Sequence, residues 1–155
     1  MMARPMTHKW GAKVHPMLNS ALMSEKSLSK VLTPLHMSVE LLPMGLFTKE
    51  HAESVLKVIN LVAADSASKG NGMWQVADEA GMIILAMKRR VDEGKAWNCT
   101  VDERQRLMHS IVRMDRYMRT WTNKRFTTAA ITVDRTNAEA RSKGKVFMDR
   151  VELKD

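Results

Sequence analysis

The chain has 155 residues, the size of one ordinary domain with a single core, and its 25 Lys and Arg outnumber 17 Asp and Glu to leave a net charge of +8. That excess favours polyanions or acidic protein surfaces as partners over acidic small molecules, and excludes mimicry of DNA by an acidic surface. The single cysteine, Cys99, excludes an internal disulfide, and the longest apolar run, MIILAM at 82–87, falls far short of the roughly 18 residues that a membrane span requires.

Residues 1–16 carry Arg4, Lys9 and Lys13 with no acid, broken by Pro5, Gly11 and Pro16, and read as an extended basic arm. The opening MMARPMTHKWGAK lacks the apolar stretch of a secretory signal, so the expected location is the cytoplasm, with no membrane partner. From Pro16 to Leu42 apolar residues recur at three- and four-residue steps: Leu18, Leu22, Leu28, Val31, Leu32, Leu35, Val39 and Leu42. Proline is harmful inside a helix, so Thr33-Pro34 predicts a break, with Thr33 capping a short second helix that ends before Pro43-Met44-Gly45.

Thr48 and the acid that follows in TKEH open the next helix, whose stripe of Ala52, Val55, Leu56, Ile59, Val62 and Ala63 runs to about Ser68. KGNG at 69–72 is a turn by composition, and Asn71 is expected to cap a helix through Met73, Val76, Ala77, Ala80, Ile84, Met87 and Val91, stopped by Gly94. Its closing KRR at 88–90 suits the helix dipole.

Thr100 and Glu103 in TVDE form a capping box that opens the longest predicted helix, to residue 125 or beyond. A step of about 100° per residue groups Leu107, Met108, Ile111, Met114, Met118 and Trp121 on one side, and Arg106, His109, Arg113, Arg116, Thr120, Asn123 and Lys124 on the other. The apolar side reads as core rather than as a base-stacking platform. Residues 100–126 hold seven Lys or Arg against three acids, and the acids come early, so the later turns lack matched partners on the same helix. Asp115 is expected to pair with Arg119, one turn away. Past residue 126, FTTAAITV is ambiguous between helix and strand, AEARSKGK reads as a basic end with a glycine stop, and VFMDRVELKD as a short edge strand or a tail.

The expected fold is therefore an all-α bundle of four or five helices. A basic arm spans 1–16, one helical domain 17–137, and a basic tail or short strand 138–155.

Recognisable catalytic arrangements are missing: no H-E-x-x-H, C-x-x-C, G-x-S-x-G or phosphate-loop pattern occurs. His36 and Glu40, one turn apart, have no third ligand at a matching spacing and read as a surface pair. Cys99 reads as a small apolar filler. The chain is expected to be non-catalytic, with no cofactor and no metal. Of the 14 methionines, Met87, Met108, Met114 and Met118 are expected in the core, and Met6, Met17, Met23, Met37 and Met44 at an exposed interface.

The run GNGMWQVADEAGM, followed after a short gap by AWNCTVDERQRLMHSIVRMDRYM, resembles small all-helical proteins of proteobacterial plasmids and prophages that are labelled Fis-type transcriptional regulators. The resemblance covers about residues 70–125 and implies a mobile-element accessory setting rather than an activity. Two functions are expected on these grounds. The first is an accessory protein that binds nucleic acid or a nucleoprotein complex without sequence specificity, with Arg106, Arg113, Arg116 and Lys124, helped by Arg4, Lys9 and Lys13, contacting phosphates. The second is a protein-binding inhibitor or adaptor, such as an anti-defence, anti-CRISPR-like factor acting on a host complex.

Overall fold

The computed structural model describes residues 21–142. The basic arm with Arg4, Lys9 and Lys13, together with Met6, Met17 and the segment from 143 onward, lies outside the described residues. Those described form an all-α bundle of five helices: α1 (Glu25–Glu40), α2 (Lys49–Lys69), α3 (Met73–Asp92), α4 (Val101–Met118) and α5 (Asn123–Ser142).

Local capping chemistry starts most of them. Ser27 N–H donates to Ser24 Oγ at the head of α1 (3.1 Å), and His51 Nδ1 accepts from Thr48 N–H at the head of α2 (2.9 Å). At α4 the box is complete, with Glu103 N–H donating to Thr100 Oγ1 (3.1 Å) and Thr100 N–H to Glu103 Oε1 (2.9 Å). Gly70, at φ 65°, turns the chain after α2 in the left-handed region. Gly72 then takes the cap position of α3 expected of Asn71, whose Oδ1 accepts from Met73 N–H (3.1 Å), while Ser66 Oγ accepts from Trp74 N–H (2.7 Å).

α2 is the hub, in contact with all four other helices. Its one-sided apolar stripe is too narrow an expectation: Val58 and Leu61 are buried along with Val55, Leu56, Ile59 and Val62, because a helix surrounded by neighbours needs apolar residues nearly all round. α3 and α4 follow as an adjacent pair, and α1 closes against α2 and α4. α5 lies along α2, and its first turn also reaches α4 through Arg125 over the Tyr117 ring.

Several expectations are corrected here. Pro34 does not break α1, which runs unbroken from Glu25 to Glu40. The proline is exposed, and Leu28, Val31, Leu32, Leu35 and Val39 are buried along the other side of the helix. Each such burial contributes about 1.5–3 kcal/mol, and together they outweigh the roughly 3 kcal/mol cost of one proline.

The long helix predicted from Thr100 past residue 125 ends at Met118. Residues 119–122 turn so that Trp121 drops fully into the core, and an extended strand-like segment fills the corner: Met23 N–H donates to Trp121 O (3.1 Å) and Asn123 N–H to Ala21 O (3.0 Å). Thr122 Oγ1 then accepts from Arg125 N–H (3.2 Å) as α5 begins. The same corner buries Met23, which therefore does not belong with the exposed methionines, whereas Met37 and Met44 are 60% and 64% exposed.

Met108 departs from its expectation as well. It is 48% exposed, because Leu107, Ile111, Met114 and Met118 centre the buried side of α4 and Met108 lies a further 100° round from Leu107. The ambiguous FTTAAITV is helical. Phe126, Ala129 and Ala140 are buried, and Thr132 and Thr136 donate their hydroxyls to carbonyls one turn back, at Thr128 (2.9 Å) and Thr132 (2.8 Å). Residues 138–142, where the tail was expected to start, form the last turn of this helix. No helix among the described residues is long and apolar enough to cross a membrane.

Candidate polyanion-binding face

The start of α4 is fixed before any of its cations is considered. Glu103, nearly buried, accepts from Arg90 on α3 (2.8 Å), and Arg90 also donates to Asn98 O (3.1 Å), tying the 93–100 loop to both helices. The Arg90 guanidinium holds the Glu103 carboxyl below its ordinary value against the upward push of burial. With its head locked and Leu107, Ile111, Met114 and Met118 buried, α4 has one orientation, and its outer face is set.

On that face the four described residues expected at the site separate into two kinds. Arg106 is exposed but committed, donating to Asp102 (2.9 Å) one turn back and to Glu79 on α3 (3.4 Å). Arg113 and Arg116 are exposed and have no acidic partner among the described residues. Lys124 is exposed on the first turn of α5, likewise without an acid, at a helix start where a cation opposes the helix dipole. Val101, Met108 and Val112 are exposed on α4 as well, at 62%, 48% and 43%.

Of the remaining cations of the stretch, Arg104 is half-buried with no acidic partner among the described residues, and Arg119 and Arg125 are neutralised. Arg119 meets Asp115 (2.5 Å), as its spacing predicts, and reaches Glu25 (3.5 Å) on α1. Asp115 also accepts from His36 Nε2 (2.6 Å), a cross-helix bond that the i,i+4 pairing of His36 with Glu40 does not suggest. Burial pushes the Asp115 carboxyl up, but the Arg119 and His36 hydrogen bonds outweigh it and hold the group below the usual carboxylate range. Beside this pair lies a cleft of about 190 Å³, floored by Leu32 and edged by Thr33, His36, Glu40 and Arg119.

A second cluster has no counterpart in the sequence reading. Asp65 of α2, 5% exposed, accepts two bonds from Arg125 (both 2.8 Å) and one from Tyr117 Oη (2.6 Å). Asn71 Nδ2 in turn donates to Tyr117 Oη (2.9 Å), and the Arg125 guanidinium lies 4.9 Å over the Tyr117 ring and 5.4 Å over that of Trp121. Burial raises the Asp65 carboxyl, yet the Arg125 and Tyr117 hydrogen bonds prevail and keep it below its ordinary value. Every polar atom of this carboxylate is used in holding α2, α4 and α5 together. The only local signal was an acid on the inward flank of an apolar helix.

Cys99 is half-buried against the core, and burial, followed by the nearby Glu103 charge, pushes its thiol up, away from reactive thiolate character. Among the described residues no three His, Cys, Asp or Glu lie close enough together to hold a metal ion. No family model, curated protein or solved structure matches the chain, so the functional reading rests on the surface itself.

Proposed function

We propose that this protein is a small accessory factor that binds nucleic acid, free or within a nucleoprotein complex, through the outer face of α4 and the α4–α5 corner. The observation that carries the reading is the contrast among cations of one stretch: Arg106, Arg119 and Arg125 each have an acid, whereas Arg104, Arg113, Arg116 and Lys124 have none among the described residues, and the last three are exposed. Cations left without partners in a chain of net charge +8 are available to phosphates. The described chain also begins at this corner, where Ala21 accepts from Asn123 N–H (3.0 Å). Arg4, Lys9 and Lys13 add three cations to the same chain and are proposed to contribute to the contact. The mobile-element setting is supported by the resemblance of residues 70–125 alone.

The test is the affinity of the full chain for a labelled nucleic acid as salt rises from 50 to 200 mM. A fall of about tenfold or more is expected, and the double reversal Arg113→Glu, Arg116→Glu should abolish binding at the low end. Binding that ignores salt, or no binding at 50 mM, refutes the proposal.

Val101, Met108 and Val112 favour a second reading, a protein-binding inhibitor or adaptor, because methionine and arginine together are enriched where proteins meet. Capture from lysate before and after nuclease treatment separates the two. Loss of all partners with the nucleic acid supports the first, and one stoichiometric protein that survives supports the second.

A further inference from the structure

The exposed apolar side chains of α4 share one line. At about 100° per residue, Val101, Met108 and Val112 fall within about 40° of one another, and about 120° round from Leu107 at the centre of the buried side. Neither neighbouring helix covers them. α3 lies on the other flank of α4, where Arg106 meets Glu79, and α1 meets the tail, where Asp115 accepts from His36 and Arg119 reaches Glu25. The line runs on to Arg119, about five turns after Val101, which edges the cleft that the exposed Met37 of α1 also lines.

The charges of α4 are sorted along its length. Asp102 and Glu103 stand at its head, and Arg113, Arg116 and Arg119 at or just past its tail. Two such helices side by side in one direction set like charge against like, whereas in opposite directions head meets tail. One antiparallel register is self-consistent for the apolar line: Met108 against Val112 of the other helix also sets Val112 against that Met108. In the same register Arg104, one turn before Met108, comes opposite Asp115, three residues past Val112, and both lie on the α1 flank of the line. Arg104 is half-buried with no acidic partner among the described residues. Asp115 uses one oxygen for Arg119 and the other for His36, and a carboxylate offers about four acceptor positions, so it has room for a further donor.

We infer that a second copy of this chain covers the line. Two molecules associate about a twofold axis with their α4 helices antiparallel, Met108 of each against Val112 of the other, and Arg104 of each on Asp115 of the other. Arg113, about 120° round from the line, stays in solvent on both copies, and the association does not depend on nucleic acid. One face of a helix about 27 Å long and about 10 Å wide is less than the roughly 800 Å² per partner of a standard interface, which places the association in the micromolar range.

The experiment is sedimentation velocity of the full chain, freed of nucleic acid, over about 5–200 µM, where the mass should rise from 17.6 kDa toward twice that value. Met108→Glu and Arg104→Glu should each weaken the dimer at least about tenfold with helical content unchanged, while Met82→Glu, at an exposed position on α3, should leave it as it is. Orientation is read by cross-linking in a Cys99→Ser background. A mixture of Met108→Cys and Val112→Cys chains should form a disulfide under mild oxidation and neither chain should do so alone, because in the antiparallel register each position faces the other while its own counterpart lies a further turn away. A dimer indifferent to Met108→Glu, or Met108→Cys chains that join each other as readily as they join the Val112→Cys chain, would overturn the inference. A chain that stays monomeric at the highest concentration overturns it too and leaves the line to a different protein.

Discussion

Arginines 113 and 125 lie on one continuous stretch of chain and have opposite surroundings. Arg125 points inward, doubly bonded to a buried carboxylate and spread over two aromatic rings, while Arg113 stands in solvent with no acid among the described residues. The same side chain is a structural rivet in one place and a free charge in the other. What decides is the supply of acid: Asp65 is delivered to Arg125 by α2, and no helix delivers one to Arg113 or Arg116. Charge counted along the sequence therefore overstates the face, because Arg106, Arg119 and Arg125 are spent within the molecule.

This division can be broken from the inside first. Trp121→Ala removes the largest fully buried side chain at the corner where α4, α5 and the 21–23 segment meet, and should cost about 3–5 kcal/mol in denaturant unfolding. A loss below about 1 kcal/mol would mean that the corner is not core.

Acid probes the same side more gently. Asp65, Glu103 and Asp115 all have folded carboxyls held below their ordinary values, so the ionised forms stabilise the fold. Their contribution is fully present above the unfolded carboxylate value of about 4 and is lost as pH falls through the lower folded values. The melting temperature should hold steady from pH 7 to about 5 and drop below about 4. Asp65→Asn should lower stability at neutral pH and flatten that acid limb; an unaltered limb would show that the Asp65 cluster carries no linkage.

The smallest effect belongs to the outside. Reversing Arg113 and Arg116 to Glu should shift stability by less than about 0.5 kcal/mol, since exposed charges without partners contribute little. Unfolding by this pair while Trp121→Ala is tolerated would mean that α4 has been read with the wrong side inward.

What was legible in the sequence was local. The Thr100–Glu103 box, the turn at Gly70 and the buried stripe of α4 apart from Met108 all depend on residues within one or two turns, and the structure has them, whereas Gly72 takes the cap position expected of Asn71, whose Oδ1 instead accepts from Met73 N–H. The Asp102–Arg106 pair also lies at i,i+4 spacing and should have discounted Arg106 as a phosphate ligand from the start. The rest depended on distant chain. Pro34 is tolerated because it is exposed while the other side of α1 packs on α2 and α4, and the end of α4 at Met118 answers to residues 21–23. The pairings of His36 with Asp115 and of Asp65 with Tyr117 and Arg125 join helices whose order in space no spacing rule reveals.

The bond between Met23 and Trp121 has a consequence for how the chain comes into being. Synthesis delivers Met23 before α1 and Trp121 only after α1 to α4 have all been made, so the 21–23 segment has to wait, unpaired, until four helices have emerged. Until the corner forms, Met23 stays in water and α1 has only its helical neighbours to hold it. A chain that ends before residue 121 would thus lack the bond that anchors residues 21–23.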